Sequence, residues 1–491
     1  MLSKVMVANR GEIAVRIFRA CKELGIPTVA VYSEADAHAL FVKYADEKFC
    51  IGPGPAKMSY LVKEKLIDTA LKCGADGIHP GYGFLAENDA FAEMCRENRI
   101  EFIGPPPEAM RAMGSKIESK KTMIAHNVPV VPGTVDPISD AAEAKRIAKE
   151  VGYPVMIKAA AGGGGIGIKK VDKEDEMEKA LESNRTLAKN SFGDDTVFIE
   201  KCITNPRHIE FQVIGDKHGH MIHANERECS VQRRHQKLIE ETPSCALTPE
   251  IRAEMGKAAV TAAAAVGYWN AGTCEFMFSD GKFYFLEMNT RLQVEHPITE
   301  QITGIDLAKE QLRVASGHEL QYRQSDVGIR GHAIECRINA EDPLNNFAPA
   351  PGKIIRYAEP GGIGIRVDSG VYPGFEIPPY YDSMIAKLIV WAEDRPRCIE
   401  RMKRALWEFQ ISGVRHNIPF HEVVMNDDVF KSGDYNTSYI PTYGILERVT
   451  EYVKTKKADG SAQKTAAAMA AVGAVVSAMS QAGAQQQGGK K

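Results

Sequence analysis

The chain has 491 residues, and at roughly 150 residues per domain this length predicts about three domains. It is 44% hydrophobic and 25% charged, and its 61 Lys and Arg against 64 Asp and Glu leave a formal net charge of −3. These values are close to those of average globular domains. They exclude collagen-like, disordered and disulfide-scaffold proteins, and also a protein built around a strongly basic nucleic-acid surface.

The ten cysteines predict free thiols, because none forms a Cys-x-x-Cys pair and no histidine cluster has zinc spacing. The N-terminus leads directly into an apolar strand at 4–8, and no run of 18 apolar residues suits a membrane span. We therefore expect a cytoplasmic protein with no signal peptide, no membrane span and no nucleic-acid partner.

The first hundred residues alternate between strand-like and helical patterns. After the strand at 6–8, Ile13, Ile17, Cys21 and Leu24 have the spacing of one helix face. The next elements are predicted as a strand at 28–32, a helix near 60–73, a strand near 76–79, a helix near 87–98 and a strand at 101–103. Repeated strand–helix units of this kind predict a parallel, doubly wound α/β sheet.

The pattern changes to an α+β type after about residue 115. A compact α+β stretch runs to about 203, and strands of antiparallel style follow at 208–213, 273–278 and 283–288. A last strand-rich segment covers about 330–446. Within the Ala-rich tail, Met469, Val472, Val476 and Met479 have the spacing of a narrow helical seam, which favours either a poorly ordered tail or a helix that docks on a partner.

A glycine-rich loop at 162–167 follows a strand that carries Lys158 near its end. Glycine lets backbone N–H groups approach phosphate oxygens closely. The Walker motif fails because Ile168 stands where it needs Lys, and the dinucleotide motif lacks the helix that should follow its glycines. Two interpretations of the loop remain. It could be a flap over a nucleoside triphosphate, with Lys158 as a point charge, or a purely structural loop.

Two carboxylates lie on a predicted hairpin whose turn is at 279–282. A regular two-residue turn would place Glu275 and Glu287 on opposite faces, so we predict a longer turn or a bulge that makes them cross-strand neighbours. Two carboxylates among apolar residues are costly unless they are paired or bind a metal. Ligation of Mg²⁺ by hard oxygen atoms explains them most simply.

Polar residues then alternate with mostly apolar ones along 287–295. If the strand continues that far, one face presents Glu287, Asn289, Arg291, Gln293 and Glu295 in a row. A solvated edge face is the alternative. The aromatic and apolar residues that lead into this stretch favour a buried functional face.

Together these motifs resemble the ATP-grasp superfamily, and specifically biotin carboxylase. The matching motifs, which cover about 1–446, are ANRGEIA at 8–14, HPGYGFL at 79–85, the flap at 153–167, ERECS through HQK at 226–237, FLEMNTRLQVEH at 285–296 and PPYYDSM at 378–384. The resemblance implies a Rossmann-like N-terminal domain at 1–114 and an ATP-grasp domain at 115–330 with a mobile lid at about 131–203. It also implies a strand-rich C-terminal domain at 331–446, followed by an Ala/Gln-rich tail at 447–491.

The resemblance implies ATP- and bicarbonate-dependent carboxylation of carrier-bound biotin, with Mg²⁺ or Mn²⁺. The positions that match ATP-binding residues are Lys116, Lys158, Gly164, Gly165, Glu200, Lys201, Ile203, His208, Gln232 and His235. Glu275, Glu287 and Asn289 match the metal ligands. Lys237, Arg291, Gln293 and Val294 match bicarbonate-binding positions, and Glu295 matches the general base. Arg337 matches the residue that stabilises the biotin enolate, with Arg16 and Tyr82 nearby.

The sequence lacks a Met-Lys-Met biotinylation site, so the resemblance implies that biotin arrives on a separate carrier or carboxyltransferase subunit. The Ala-rich extension resembles the biotin carboxylase component of two-subunit pyruvate carboxylase more than the acetyl-CoA carboxylase component. Arg19, Glu23 and Arg366 match homodimer-interface positions.

Four alternatives remain open. They are the biotin carboxylase component of an acetyl-CoA or propionyl-CoA carboxylase, another ATP-grasp ligase of carbamoyl-phosphate or peptide type, a dinucleotide-dependent oxidoreductase and a nucleotide-binding regulatory protein. Another ATP-grasp ligase would lack the Arg337 strand and the 79–85 loop. A regulatory protein would lack the acid–base residues that this chain retains.

Overall fold

The computed structural model of the protein describes residues 1–159 and 167–458. The predicted phosphate contacts of Gly164 and Gly165, and the helical seam at 469–479, lie outside these described residues. Everything below concerns the described part of the chain.

The N-terminal region has the alternating strands and helices that the sequence predicts, together with elements at 40–44, 47–52 and 107–114 that were not predicted. Its elements are β1 Val5–Val7, α1 Gly11–Glu23, β2 Thr28–Ser33, α2 Leu40–Tyr44, β3 Glu47–Gly52, α3 Lys63–Cys73, β4 Gly77–His79, α4 Asp89–Glu97, β5 Glu101–Phe102 and α5 Pro107–Gly114. The five strands form a parallel sheet in the order β3-β2-β1-β4-β5. Ile13, Ile17 and Cys21 are buried on one face of α1, as their spacing predicts.

The central region contains two sheets. Its elements are α6 Lys116–Ala125, α7 Ala141–Val151, β6 Val155–Ala159, β7 Ile168–Val171, α8 Met177–Phe192, β8 Val197–Lys201, β9 Arg207–Gly215, β10 Met221–Arg233, β11 Gln236–Thr242, α9 Pro249–Ala264, β12 Asn270–Ser279, β13 Lys282–Asn289, α10 His296–Thr303 and α11 Leu307–Ala315. The small sheet, in the order β7-β6-β8, is antiparallel and carries Lys158 on β6.

The C-terminal region is rich in short strands. Its elements are β14 His332–Asn339, β15 Glu341–Asp342, β16 Ala348–Pro349, β17 Gly352–Lys353, β18 Arg356–Ala358, β19 Ile365–Ser369, β20 Glu376–Ile377, β21 Met384–Ala392, α12 Arg395–Glu408, β22 Gln410–Ser412, α13 Ile418–Asn426, α14 Asp428–Ser432, α15 Tyr439–Thr442 and α16 Ile445–Ala458.

An eight-stranded antiparallel sheet joins the central and C-terminal regions. Its order is β13-β12-β9-β10-β11-β14-β21-β19, so the contact between β11 and β14 continues the sheet across the change in region near residue 330. Side chains that are far apart in sequence are thereby brought to one face. The predicted fold class, α/β at the N-terminus and antiparallel α+β beyond it, is confirmed.

The β12–β13 hairpin contains the predicted bulge. Asp280 and Gly281 form a two-residue turn with positive φ angles of 51° and 72°, a conformation typical of tight hairpins. The register then shifts after Phe276, and Glu275 pairs directly with Glu287. The extra residue on β13 is what puts both carboxylates on the same face.

The strand does not continue to Glu295, contrary to the conditional prediction. It ends at Asn289, and an irregular segment leads into α10. The reason is a long-range contact, because the Thr290 backbone N–H donates to the carboxylate of Glu87 at 3.1 Å instead of to a neighbouring strand.

Aromatic side chains fill the core beneath the hairpin. Phe276 is fully buried and makes edge contacts with Phe211, Phe283 and Phe285 at centroid distances of 5.7–6.2 Å. Such pairs add to the free energy gained by burying apolar area.

Across the described residues, no helix combines the length and the apolar character that crossing a membrane would need.

Replacing Phe276 with Ala should lower the free energy of unfolding by about 3–5 kcal/mol, because the substitution leaves a cavity in this core. Urea titration followed by circular dichroism measures the loss. Leu71→Ala is the matched control, since Leu71 is 53% exposed, and its effect should stay within about 0.5 kcal/mol. Equal losses for the two variants would contradict the packing described here.

Candidate active site

A cavity of about 1650 Å³ lies where the three regions meet. Most of the predicted site residues line it: Tyr82, Lys116, Lys158, Glu200, Lys201, Ile203, His208, Gln232, His235, Lys237, Glu275, Glu287, Asn289, Arg291, Gln293, Val294 and Arg337. The structure therefore brings together residues that the sequence separates by more than 250 positions.

Two predicted residues do not line the cavity. Glu295 is fully buried behind its wall and reaches it only through Lys237 and Arg337. Arg16 is buried in ion pairs with Glu300 at 2.7 Å and Asp306 at 2.6 Å. Arg16 is therefore not among the residues that line the cavity, and its place near the bound biotin remains a prediction.

One end of the cavity carries two lysines that share a carboxylate. Lys158 on β6 and Lys120 on α6 contact the two oxygens of Glu200 at 2.5 and 2.9 Å. Burial alone would raise the pKa of Glu200, but these two cations outweigh it and lower the pKa. This end of the cavity thus offers ammonium groups that could turn to a polyphosphate. Lys120 was not predicted, since nothing in the sequence distinguishes it from Lys121 beside it on α6.

The carboxylate pair of the hairpin also lines the cavity. The Asn289 amide donates to Glu275 Oε1 at 2.8 Å, and His208 Nε2 lies 3.0 Å from the other Glu275 oxygen. Burial and the negative charge of Glu275 both raise the pKa of Glu287. Two adjacent carboxylates and an amide oxygen are the hard ligands that Mg²⁺ and Mn²⁺ prefer, so these residues fit the predicted metal.

Lys237 forms three ion pairs at the centre of this group of charges. Its ammonium contacts Glu210 at 2.5 Å, Glu295 at 2.7 Å and Glu275 at 2.9 Å. Burial would lower the pKa of Lys237, but the three carboxylates outweigh burial and raise it well above the ordinary value. Lys237 is therefore a fixed positive charge. Glu210, which was not predicted, lies on β9 beside Glu275 on β12.

Glu295 lies between two cations. Lys237 contacts one of its oxygens, and Arg337 donates to the other at 2.9 Å. Burial raises the pKa of Glu295, yet Lys237, Arg337 and Arg227 outweigh it and hold the pKa well below the usual range. The carboxylate is consequently ionised at neutral pH, and it becomes a stronger base only when these cations turn to another anion.

Arg291 and the residues beside it form a further part of the cavity wall. Arg291 donates to Asn289 at 3.0 Å and to Gln293 at 3.2 Å, and its Nε lies 3.0 Å from Glu87. Although β13 has ended, Glu287, Asn289, Arg291 and Gln293 all line the cavity, and Glu295 lies behind its wall.

Two further residues hold this wall from behind and were not predicted. The Lys387 ammonium is fully buried and donates to the Val294 carbonyl at 3.0 Å. Glu12 accepts a hydrogen bond from the Tyr82 hydroxyl and lies 3.2 Å from Lys387. A lone Lys in the apolar run of β21 is a signal that could have identified Lys387, and Glu12 stands in the ANRGEIA motif at 8–14, where no role was assigned to it.

Comparison with known proteins identifies this arrangement. Residues 1–110 match the N-terminal domain of biotin carboxylase, 335–442 match its C-terminal domain, and 115–323 match the ATP-binding domain of the carbamoyl-phosphate synthase L chain. The chain is 59% identical to the A subunit of pyruvate carboxylase from Methanothermobacter thermautotrophicus, with 92% of this chain and 93% of that protein covered.

It is also 54% identical to biotin carboxylase 1 of Bacillus subtilis, with 91% of this chain and all of that protein covered. Among solved structures, it is similar to the biotin carboxylase domain dimer of Hydrogenobacter thermophilus 2-oxoglutarate carboxylase, in complex with MgADP, ADP and bicarbonate. That match has a TM-score of 0.85 at 52% identity and covers 91% of this chain and 98% of that one. The predicted resemblance is confirmed, and the chain belongs to the biotin carboxylase family of ATP-dependent ligases with an ATP-grasp domain.

Proposed function

We propose that the chain uses ATP and bicarbonate to carboxylate biotin held on a separate carrier, as the biotin carboxylase component of a two-subunit pyruvate carboxylase. One observation carries the proposal. The ionised Glu295 carboxylate lies between Lys237 and Arg337, at the side of a cavity that also carries the Glu275–Glu287 pair. A base, fixed cations and hard metal ligands are thus present in one place.

The nucleotide would occupy the end of the cavity around Lys158. Lys116, Lys120 and Lys158 supply positive charge for the phosphates, and Glu200 to Ile203 line the cavity beyond them. Glu275, Glu287 and Asn289 would hold Mg²⁺ or Mn²⁺, which screens charge on the phosphate oxygens when bound. A solved relative in complex with MgADP supports this assignment.

Bicarbonate would bind against Lys237, Arg291, Gln293 and the backbone at Val294. An entering anion competes with the carboxylates that now hold Lys237 and Arg291, which would leave Glu295 free to take the bicarbonate proton. A bicarbonate oxygen then attacks the terminal phosphorus of ATP, and ADP leaves. The carboxyphosphate that results decomposes to CO₂ and phosphate.

Arg337 would act in the second half of the reaction. The phosphate takes the proton from the N1 nitrogen of biotin, and negative charge develops on the ureido oxygen as N1 attacks CO₂. A fixed guanidinium near that oxygen lowers the barrier, because it stabilises charge that is present only late in the reaction. Tyr82 lines the same part of the cavity and would contact biotin.

Pyruvate as the final carboxyl acceptor is supported by the 59% identity to the A subunit of a pyruvate carboxylase. Biotin carboxylase domains do not select this acceptor, because a separate transferase does.

The partners of this chain would be a second copy of it and that biotin-carrying transferase. The dimer of the Hydrogenobacter relative supports the second copy, and Arg19, Glu23 and Arg366 would lie at its interface.

Glu295→Gln should abolish bicarbonate- and biotin-dependent release of phosphate from ATP, because the amide cannot accept the proton. The loss should be roughly 100-fold or more, because a general base typically contributes about 10²- to 10⁴-fold to the rate. Nucleotide binding, measured by isothermal titration calorimetry, should persist. Glu319→Gln, in an exposed loop, is the matched control and should keep the wild-type rate. An unchanged rate in Glu295→Gln would remove Glu295 from its role.

Glu287→Gln should weaken binding of Mn²⁺ in the presence of ADP by roughly 10-fold or more, since even residues that only support a metal ligand contribute that much. Electron paramagnetic resonance of free Mn²⁺ measures this affinity directly. Asp280→Asn, in the exposed turn of the same hairpin, is the control and should bind Mn²⁺ as the wild type does. Equal affinities for all three proteins would exclude Glu287 as a ligand.

The acceptor is tested with the chain isolated together with its biotinylated partner from its source. With labelled bicarbonate and ATP, we expect acid-stable label in pyruvate and none in acetyl-CoA, propionyl-CoA or 2-oxoglutarate. Label in one of the other acceptors would overturn pyruvate carboxylase and leave the biotin carboxylase function intact.

A further inference from the structure

Two buried carboxyl groups lie directly behind Arg337 and have no part in the reaction described above. Glu240 on β11 pairs in register with Glu335 on β14, and both are completely buried. Glu335 and Arg337 are two positions apart on β14, so their side chains share a face of the sheet. The three side chains therefore form a compact unit beneath the wall of the cavity.

The hydrogen bonds of this unit are unequal. Arg337 Nε donates to Glu240 Oε1 at 2.6 Å. The other oxygen of Glu240 and both oxygens of Glu335 have no hydrogen-bond partner within the described residues. A buried ionised carboxylate without a donor is very costly, so two negative charges cannot persist here. Glu240 is paired with the guanidinium of Arg337 and carries the one negative charge, and Glu335 remains protonated.

The charged and titratable groups around the pair agree with this assignment. Those that face it are Cys229 on β10, Lys237 on β11, Glu295 before α10, Arg337 on β14 and Lys387 on β21. Burial raises the pKa of Glu335 well above its ordinary value, despite Lys387. Burial also raises the pKa of Glu240 to about 7, even though Arg337 opposes the shift.

We propose that Glu240 is a positioning residue for Arg337 in the biotin half of the reaction, and that protonated Glu335 keeps the pair at a single negative charge. The inference rests on the function proposed above. Arg337 donates to both Glu240 and Glu295. When Glu295 takes the bicarbonate proton, Arg337 loses one of its two anionic partners, and Glu240 alone still fixes the guanidinium.

A single negative charge on the Glu240–Glu335 pair, rather than two, favours the biotin step. A second negative charge behind Arg337 would oppose the negative charge that develops on the ureido oxygen of biotin in front of it. With Glu335 neutral, Glu240 orients the guanidinium without that extra opposition.

The pair also gives the biotin step a pH dependence. Below about pH 7 Glu240 takes up a proton, its hold on Arg337 weakens, and biotin-stimulated turnover should fall.

The test compares phosphate release with bicarbonate alone and with bicarbonate plus free biotin, in the wild type and in Glu240→Gln, Glu240→Asp and Glu335→Gln. A wild type without biotin stimulation would refute the proposed function itself, before any variant is considered. Given stimulation, Glu240→Gln should lower the biotin-stimulated rate by roughly 10- to 100-fold, and more than it lowers the biotin-independent rate. Glu240→Asp, which keeps the charge, should restore part of the loss.

Glu335→Gln should keep the wild-type rate and pH profile, because the amide resembles a protonated carboxyl group. A marked shift of that profile would mean that Glu335 is charged and would overturn its role. Equal loss of both rates in Glu240→Gln, or no loss, would overturn the positioning role. If Glu240→Gln does not fold, the wild type decides: the ratio of stimulated to unstimulated rates must fall as the pH drops below about 7, and a constant ratio overturns the proposal.

Discussion

The ammonium group of Lys237 and the carboxylates of Glu210, Glu275 and Glu295 form the interaction on which the site depends. Removing these charges from water is costly, and only their mutual contacts offset that cost. The sheet order makes the cluster possible, because β9, β12 and β11 bring Glu210, Glu275 and Lys237 to one face while the segment after β13 delivers Glu295. The cluster thus links the packing of the eight-stranded sheet to the chemistry of the cavity.

The same cluster explains how the site can hold its reactants. The cations at Lys237, Arg291 and Arg337 are occupied by protein carboxylates, and each could exchange these for a substrate anion. Glu295 is released as a base in the same exchange. Substrate binding and activation of the base are therefore one electrostatic event in the proposed mechanism, and the buried Glu240–Glu335 pair keeps Arg337 in place during it.

Much of this could be predicted from the sequence, since hydrophobic periodicity located the parallel N-terminal sheet and the strand that carries Glu275. The need to pair two carboxylates predicted the bulge, which the structure places between Glu275 and Phe276. Resemblance to a known family supplied the roles of the residues along 287–295. The end of β13 at Asn289 was not predictable, because it depends on a contact between Thr290 and Glu87 that spans 203 positions.

Other features escaped prediction for the same reason. Lys120, Glu210 and Glu87 act through partners that only the fold brings near. β3 escaped prediction for a different reason, because its pattern at the sheet edge is short and partly polar. The ion pairs of Arg16 with Glu300 and Asp306 likewise depend on the fold, because they join residues more than 280 positions apart.

The central claim, that bicarbonate attacks ATP in this cavity, is tested most directly with ¹⁸O-labelled bicarbonate. We expect the phosphate released with ADP in the presence of biotin to carry one bicarbonate oxygen, and phosphate without ¹⁸O would contradict the claim.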